Sequence, residues 1–114
     1  MEPVMYIFLN KGIKMSKGKI AVQAAHAAIL AYQISKEDIK KKWDETSYVK
    51  IMLEALGEKH IYATKEYLKS KEINSVVIAD EGRTEVEPGS VTALGIEILD
   101  REKYKEILGG FKLY

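Results

Sequence analysis

Apolar residues along this chain fall into short runs separated by charged stretches. Met5 to Leu9 is a continuous apolar run, the pattern of a strand covered on both faces of its sheet. From about Gly18 to Gln33 the pattern becomes helical and rich in alanine, with Ala21, Ala24, Ala25, Ala27, Ala28 and Ala31, and Ser16 stands where an N-cap belongs. A short, mostly charged helix is expected over Lys36 to Trp43, capped by Ser35 with Asp38 completing a loose capping box. Tyr48 to Glu54 predicts a second strand. Glu58 to Ser70 predicts a helix, with apolar Ile61, Tyr62, Tyr67 and Leu68. Asn74 to Ala79 carries Val76, Val77 and Ile78 and reads as a buried strand. Asp80 to Gly89 is a loop, Val91 to Leu99 a further strand, and Arg101 to Leu108 a helix ended by Gly109-Gly110. The order β-α-α-β-α-β-β-α predicts an α/β fold: one domain over residues 1–114, a mixed sheet with helices on both faces.

The alanine helix carries three polar side chains on one side. At about 100° per residue, Gln23 lies roughly 40° from Lys19 and His26 roughly 20° on the other side of it. The stripe is either the solvent face or the wall of a cleft. A solvent face should also carry Asp or Glu, and none occurs between Gly18 and Gln33, so a cleft on a mostly buried helix explains it better. Lys19 sits in the first turn, where the helix dipole is positive and a lysine costs about 0.3–1 kcal/mol. The placement makes sense if helix end and ammonium together serve an anion or a developing oxyanion. His26, between alanines, reads first as a packed residue bonded to a neighbour.

Net charge changes this picture less than its distribution does. The sum is +1, but Lys11, Lys14, Lys17 and Lys19 fall close together with no acid among them. That run is either a solvated loop or a local patch for phosphate. The chain has no cysteine, which excludes disulfides, thiol catalysis and sulfur-ligated zinc, and fits a reducing, cytoplasmic setting. Two histidines without ligand spacing leave no metal site, and no cofactor is expected. The apolar start, Met1 to Leu9, lacks a basic region and a cleavage site, and no apolar run approaches the roughly 20 residues of a membrane span, so no membrane role is expected.

Asp80 directly follows a strand, and the carboxyl ends of strands are where open sheets bind ligands. A carboxylate there can orient or deprotonate water. Gly82 permits a tight turn, Arg83 can pair with phosphate or with Asp80, and Thr84 offers a hydroxyl. An ordinary acidic turn accounts for the segment equally well. Glu87-Pro88-Gly89-Ser90 reads as a second turn, which launches a strand with Thr92 near its start.

Taken together, these segments resemble the type-2, archaeal and eukaryotic, peptidyl-tRNA hydrolases. Lys14 to Ala28 is similar to the family's signature helix, approximately K-M-G-K-G-K-hydrophobic-A-x-Q-x-x-H-A. Asp80-Glu81-Gly82-Arg83-Thr84 resembles its D-A-G-R-T-Q loop. Pro88 to Thr92 with Leu94-Gly95-Ile96 resembles its P-G-[ST]-x-T-V-L-G-I-G-P segment, and Lys112-Leu113-Tyr114 its terminus. The resemblance implies a four-stranded mixed sheet, a homodimer, and hydrolysis of the ester joining a peptide to the terminal ribose of tRNA. Position by position, it places the active-site residues at Lys19, Gln23, Asp80, Thr84 and Thr92. Lys11, Lys14, Lys17, Arg83 and His26 are then the candidates for holding peptidyl-tRNA. The departures are Gly12 where an Asp is usual, Ser16 for a glycine, Glu81 for a small residue, Glu85 for a glutamine, and Glu97-Ile98 for Gly-Pro. The added carboxylates motivate an alternative, a catalytically weakened RNA-binding relative of the same fold. A protein-interaction module is a third reading, and it leaves the polar stripe unexplained.

Overall fold

The computed structural model describes residues 1–81 and 89–114. Its elements run β1 (Pro3–Asn10), α1 (Lys17–Gln33), α2 (Glu37–Asp44), β2 (Lys50–Ala55), α3 (Glu58–Ser70), β3 (Ser75–Ala79), β4 (Val91–Ile96), β5 (Leu99–Asp100) and α4 (Arg101–Leu108). β1 is buried at every position because the sheet is covered on both sides. Its even residues Val4, Tyr6 and Phe8 pack with Ile61, Leu68 and Leu108 under α3 and α4. Its odd residues Met5, Ile7 and Leu9 pack with Ala27, Ala31 and Trp43 under α1 and α2.

The strands lie in the order β2-β1-β4-β3, with β5 added to the start of β1. β1 and β2 run parallel, from Met5 opposite Lys50 to Asn10 opposite Ala55. β4 lies antiparallel to both β1 and β3. The mixed sheet and its helical layers agree with the expected α/β class. Among the described residues no helix is long and apolar enough to cross a membrane.

Two local expectations need correction, and they share one cause. The strand expected over Val91 to Leu99 is broken at Glu97 and Ile98, and resumes as β5 opposite Pro3 and Val4. At the break, Glu97 N donates to Asn74 O at 3.1 Å and the Glu97 carboxylate accepts from Asn74 N at 2.6 Å. Ile98 N donates to Ser35 Oγ at 2.8 Å. Glu97 and Ile98 thus leave the ladder yet keep their backbone N–H groups satisfied while buried. Ser35 is consequently not a helix cap. Its hydroxyl donates to Ala31 O at 2.7 Å, and Lys36 occupies the N-cap of α2 without a side-chain bond.

The two outer strands differ in how they are covered. The carboxyl-terminal residues lie along β2: Glu54 N donates to Lys112 O at 2.9 Å and Tyr114 N to Met52 O at 3.0 Å. β3 ends the sheet on the other side.

Candidate active site

The helix start, the end of β3 and the start of β4 meet at one end of the sheet. Ser16 opens α1 in an extended conformation, and its hydroxyl accepts from Lys19 N at 3.2 Å, as the sequence predicts for a cap. Lys19 then points inward. Its ammonium is paired with the Asp80 carboxylate, and the two side chains are only 6% and 3% exposed. Asp80 is held in place by its own backbone, which continues the pairing beyond β3: Asp80 N donates to Ser90 O at 2.8 Å, and Gly89 N to Asp80 O at 2.7 Å. A buried ion is tolerated only with a partner, and each of these supplies the other's. The carboxylate also offsets the adverse placement of a lysine in the first helical turn.

One turn along α1, Gln23 Oε1 accepts from Thr92 Oγ1 at 2.5 Å, and the Ile78 carbonyl lies 3.3 Å from the same hydroxyl. Thr92 reaches α1 because the ladder slips there. Ile78 pairs with Ala93 but Ala79 pairs with Val91, so Thr92 is an extra residue in β4. Val91 accordingly joins the core beneath α3 and α4, while Ala93 joins the one beneath α1. This bulge turns Thr92 into the site, where it is fully buried. The structure therefore brings together Lys19, Gln23, Asp80 and Thr92. Thr84 and Arg83 lie outside the described residues.

The stripe on α1 is oriented differently from the expectation. Lys19 and Gln23 line up with Ala27 and Ala31 as the inward face. The helix is not mostly buried; its outer side is apolar, with Val22 48% and Ile29 58% exposed. His26 is not the packed, hydrogen-bonded residue expected of a histidine between alanines. It is exposed, makes no hydrogen bond among the described residues, and stands with Val22 and Glu81 at the rim of a depression of about 350 Å³ above Lys19, Gln23 and Asp80.

The basic loop precedes this depression. Lys11 is paired with Glu54 at 3.0 Å, whereas Lys14 and Lys17 are exposed and have no ion-pair partner among the described residues. Sequence reasoning missed Asn10. It is 2% exposed, donates from Nδ2 to Val91 O at 2.8 Å and accepts from Gly12 N at 2.7 Å. It thereby fixes the start of the basic loop to the start of β4. The available signal was a polar residue closing an otherwise apolar strand.

Gly12 has little room to be anything else, since a Cβ there would lie 2.9 Å from Leu56 O and 3.0 Å from Gly57 Cα. The aspartate usual at this place would have to displace backbone.

The family model for peptidyl-tRNA hydrolase PTH2 matches residues 3–114. A peptidyl-tRNA hydrolase of Staphylothermus marinus is 39% identical over 94% of this chain and 91% of its own length. One from Methanothermobacter thermautotrophicus is 33% identical over 94% of this chain and 96% of its own. The mouse protein named peptidyl-tRNA hydrolase 2, mitochondrial, is 34% identical over 99% of this chain, which spans 64% of the mouse protein's length. With nearly the whole chain matched, and with the motif residues Lys19, Gln23, Asp80 and Thr92 gathered at one end of the sheet, the chain belongs to the peptidyl-tRNA hydrolase PTH2 family.

Proposed function

We propose that this chain hydrolyses the ester between a peptide and the terminal ribose of tRNA, releasing the peptide and free tRNA. The observation that carries this reading is the buried Lys19–Asp80 pair next to the Thr92–Gln23 hydrogen bond, beneath an open depression. Water is the nucleophile. Asp80 accepts a proton from it as it attacks the ester carbonyl. The ammonium of Lys19 has three donors, so pairing with Asp80 leaves others to meet the negative charge that develops on the carbonyl oxygen. Collapse of the tetrahedral intermediate breaks the bond to the ribose oxygen, which leaves as the hydroxyl by taking from Asp80 the proton that came from water. Gln23 and Thr92 hold substrate and water in register, and Thr84 joins them through its place in the Asp80–Thr84 motif.

Lys14 and Lys17 hold phosphates of the tRNA backbone, with Lys11, Arg83 and His26 beside them. The Lys11 side of its pair with Glu54 is 63% exposed, which leaves the ammonium within reach of a phosphate. Replacing Lys14 and Lys17 together by Ala is expected to raise KM and leave kcat nearly unchanged. The slope of log KM against log salt should fall by about 1.4 to 1.8 if each lysine meets one phosphate. Unaltered KM and slope would remove the lysines from the tRNA interface.

The reading includes a cytoplasmic setting, where translation generates the substrate, and a homodimer, for which sedimentation equilibrium should give twice the 12.9 kDa of one chain. The decisive experiment is hydrolysis of N-acetylaminoacyl-tRNA by the purified protein, with aminoacyl-tRNA as control. Turnover of the acetylated substrate is expected. Binding of tRNA without turnover would favour the RNA-binding relative instead.

A further inference from the structure

An ester substrate has two arms, and the tRNA arm accounts for only one side of the site. We propose that the free edge of β3 binds the peptide arm as an added β-strand, running parallel to β3 with its carboxyl end at Asp80. This inference rests on the proposed hydrolysis and specifies how the other half of that substrate is held.

The first observation is the unequal treatment of the two sheet edges. β2 is covered by the chain's own Lys112–Tyr114 segment, whereas among the described residues β3 has a strand neighbour, β4, on one side only. Exposed edges are normally blunted because they recruit other strands. Here one is closed, and no described residue pairs with the other, which lies beside the reactive groups.

The second observation is which backbone groups that edge presents. In an antiparallel pair, successive residues turn their N–H and C=O alternately toward and away from the neighbour. The Ile78 carbonyl faces Thr92 on β4, and Asp80 exchanges bonds with Ser90 and Gly89. Ser75, Val77 and Ala79 therefore face outward. Ser75 O shows this directly, accepting from Lys65 Nζ at 2.6 Å. The outward groups of Val77 and Ala79 have no hydrogen-bond partner among the described residues.

The third observation is a trough of about 430 Å³ along this edge, lined by the exposed apolar flank of α1 at Ile29 and Leu30 and by Val77, Ile78 and Ala79 of β3. It shares His26, Ala79 and Glu81 with the depression above Lys19 and Asp80, so the two adjoin. A peptide leaving the ester along the trough runs beside β3.

Direction and register follow. β3 runs toward Asp80, and the peptide's carboxyl end must be there, so the two strands are parallel. In parallel pairing the substrate residue opposite Ile78 donates to Val77 O and accepts from Ala79 N. With the ester-bearing residue opposite Asp80, that is the third residue from the ester. Recognition by backbone alone is sequence-tolerant, as peptides of arbitrary sequence require, and the apolar wall takes side chains without selecting among them.

The test uses wild-type protein and N-acetyl-oligovalyl-tRNAs carrying one to five valines. KM is expected to fall about tenfold when the third valine is added, with kcat little changed. N-methylation of the third residue from the ester should abolish that gain, whereas N-methylation of the second should not. Ala79→Pro, which removes the outward N–H that the carbonyl of the third residue accepts from, without touching a β4 ladder bond, should abolish the length dependence. A KM independent of length, or equal sensitivity to methylation at both residues, overturns the proposal while hydrolysis stands. Self-association through β3, seen as a dimer that Ala79→Pro dissociates, also overturns it. Failure to hydrolyse even the single-valine substrate overturns the proposed function, and this inference with it.

Discussion

Replacing Asp80 by Asn is expected to lower kcat on N-acetylaminoacyl-tRNA by about two to three orders of magnitude, with a much smaller effect on KM. The amide is nearly the same size, so the depression and the tRNA contacts persist. It cannot take a proton from water. It also withdraws the charge that holds the Lys19 ammonium at the bottom of the site. A loss confined to kcat is the signature of an interaction made in the transition state rather than in the ground state. Single-turnover kinetics with saturating enzyme checks it directly, and a wild-type rate would take Asp80 out of the chemistry.

Lys19→Ala should be equally inactive for a less clean reason. It leaves the Asp80 carboxylate buried without its ammonium, and breaking a buried pair from one side typically costs about 3–5 kcal/mol. The two substitutions therefore separate chemistry from folding. Asp80→Asn leaves a buried lysine beside a polar amide, so thermal stability falls less than in Lys19→Ala. The double variant Lys19→Met with Asp80→Asn should recover stability relative to Lys19→Ala and recover no activity. Activity returning with stability would mean that the pair serves the fold alone.

Much of this arrangement was legible in the amino-acid order, and the parts that were not have physical reasons. β1 could be recognised because burial on both faces requires an uninterrupted apolar run. The bounds of α3 and α4 coincide with those expected, since both have amphipathic patterns bounded by turn signals. Helical periodicity put Lys19 and Gln23 on one side of α1. It could not say whether that side faced water or the sheet, because the opposite side is apolar too. The pairing of Lys19 with Asp80 joins residues separated by 61 positions, and that of Gln23 with Thr92 spans 69. No local rule predicts such contacts. Thr92 depends on a bulge, which shifts the alternation by one residue and leaves no mark in composition. The break at Glu97 and Ile98 was hidden for the same kind of reason, since their partners Asn74 and Ser35 lie in connections far away in the chain. Thr84 and Arg83 were identified through the motif, and their part in the site remains a proposal.

Gly95→Ala is expected to lower Tm by about 5–15 °C, the counterpart of the roughly 1–3 kcal/mol that an extra methyl costs in a tightly packed core. A Cβ at Gly95 would lie 2.6 Å from Ala27 O and 3.2 Å from Ala31 Cβ. The first contact decides the outcome. Ala27 O belongs to the backbone of α1, so it cannot rotate aside as a side chain would, and relief requires the whole helix to move off the sheet. The alanines at 27 and 31 now have a specific role: with Gly95 they set the distance between α1 and β4. That distance also sets the site, because Lys19 and Gln23 sit on the same face of α1 as Ala27 and Ala31. Gly95→Ala should therefore reduce kcat even at temperatures where the protein remains folded. Trimming the side-chain contact discriminates between the two causes. Ala31→Gly in the Gly95→Ala background removes the 3.2 Å contact but leaves the clash with Ala27 O, so neither Tm nor kcat should recover. Full recovery would place the spacing of α1 under the control of side chains, and the helix backbone would then be free to approach β4.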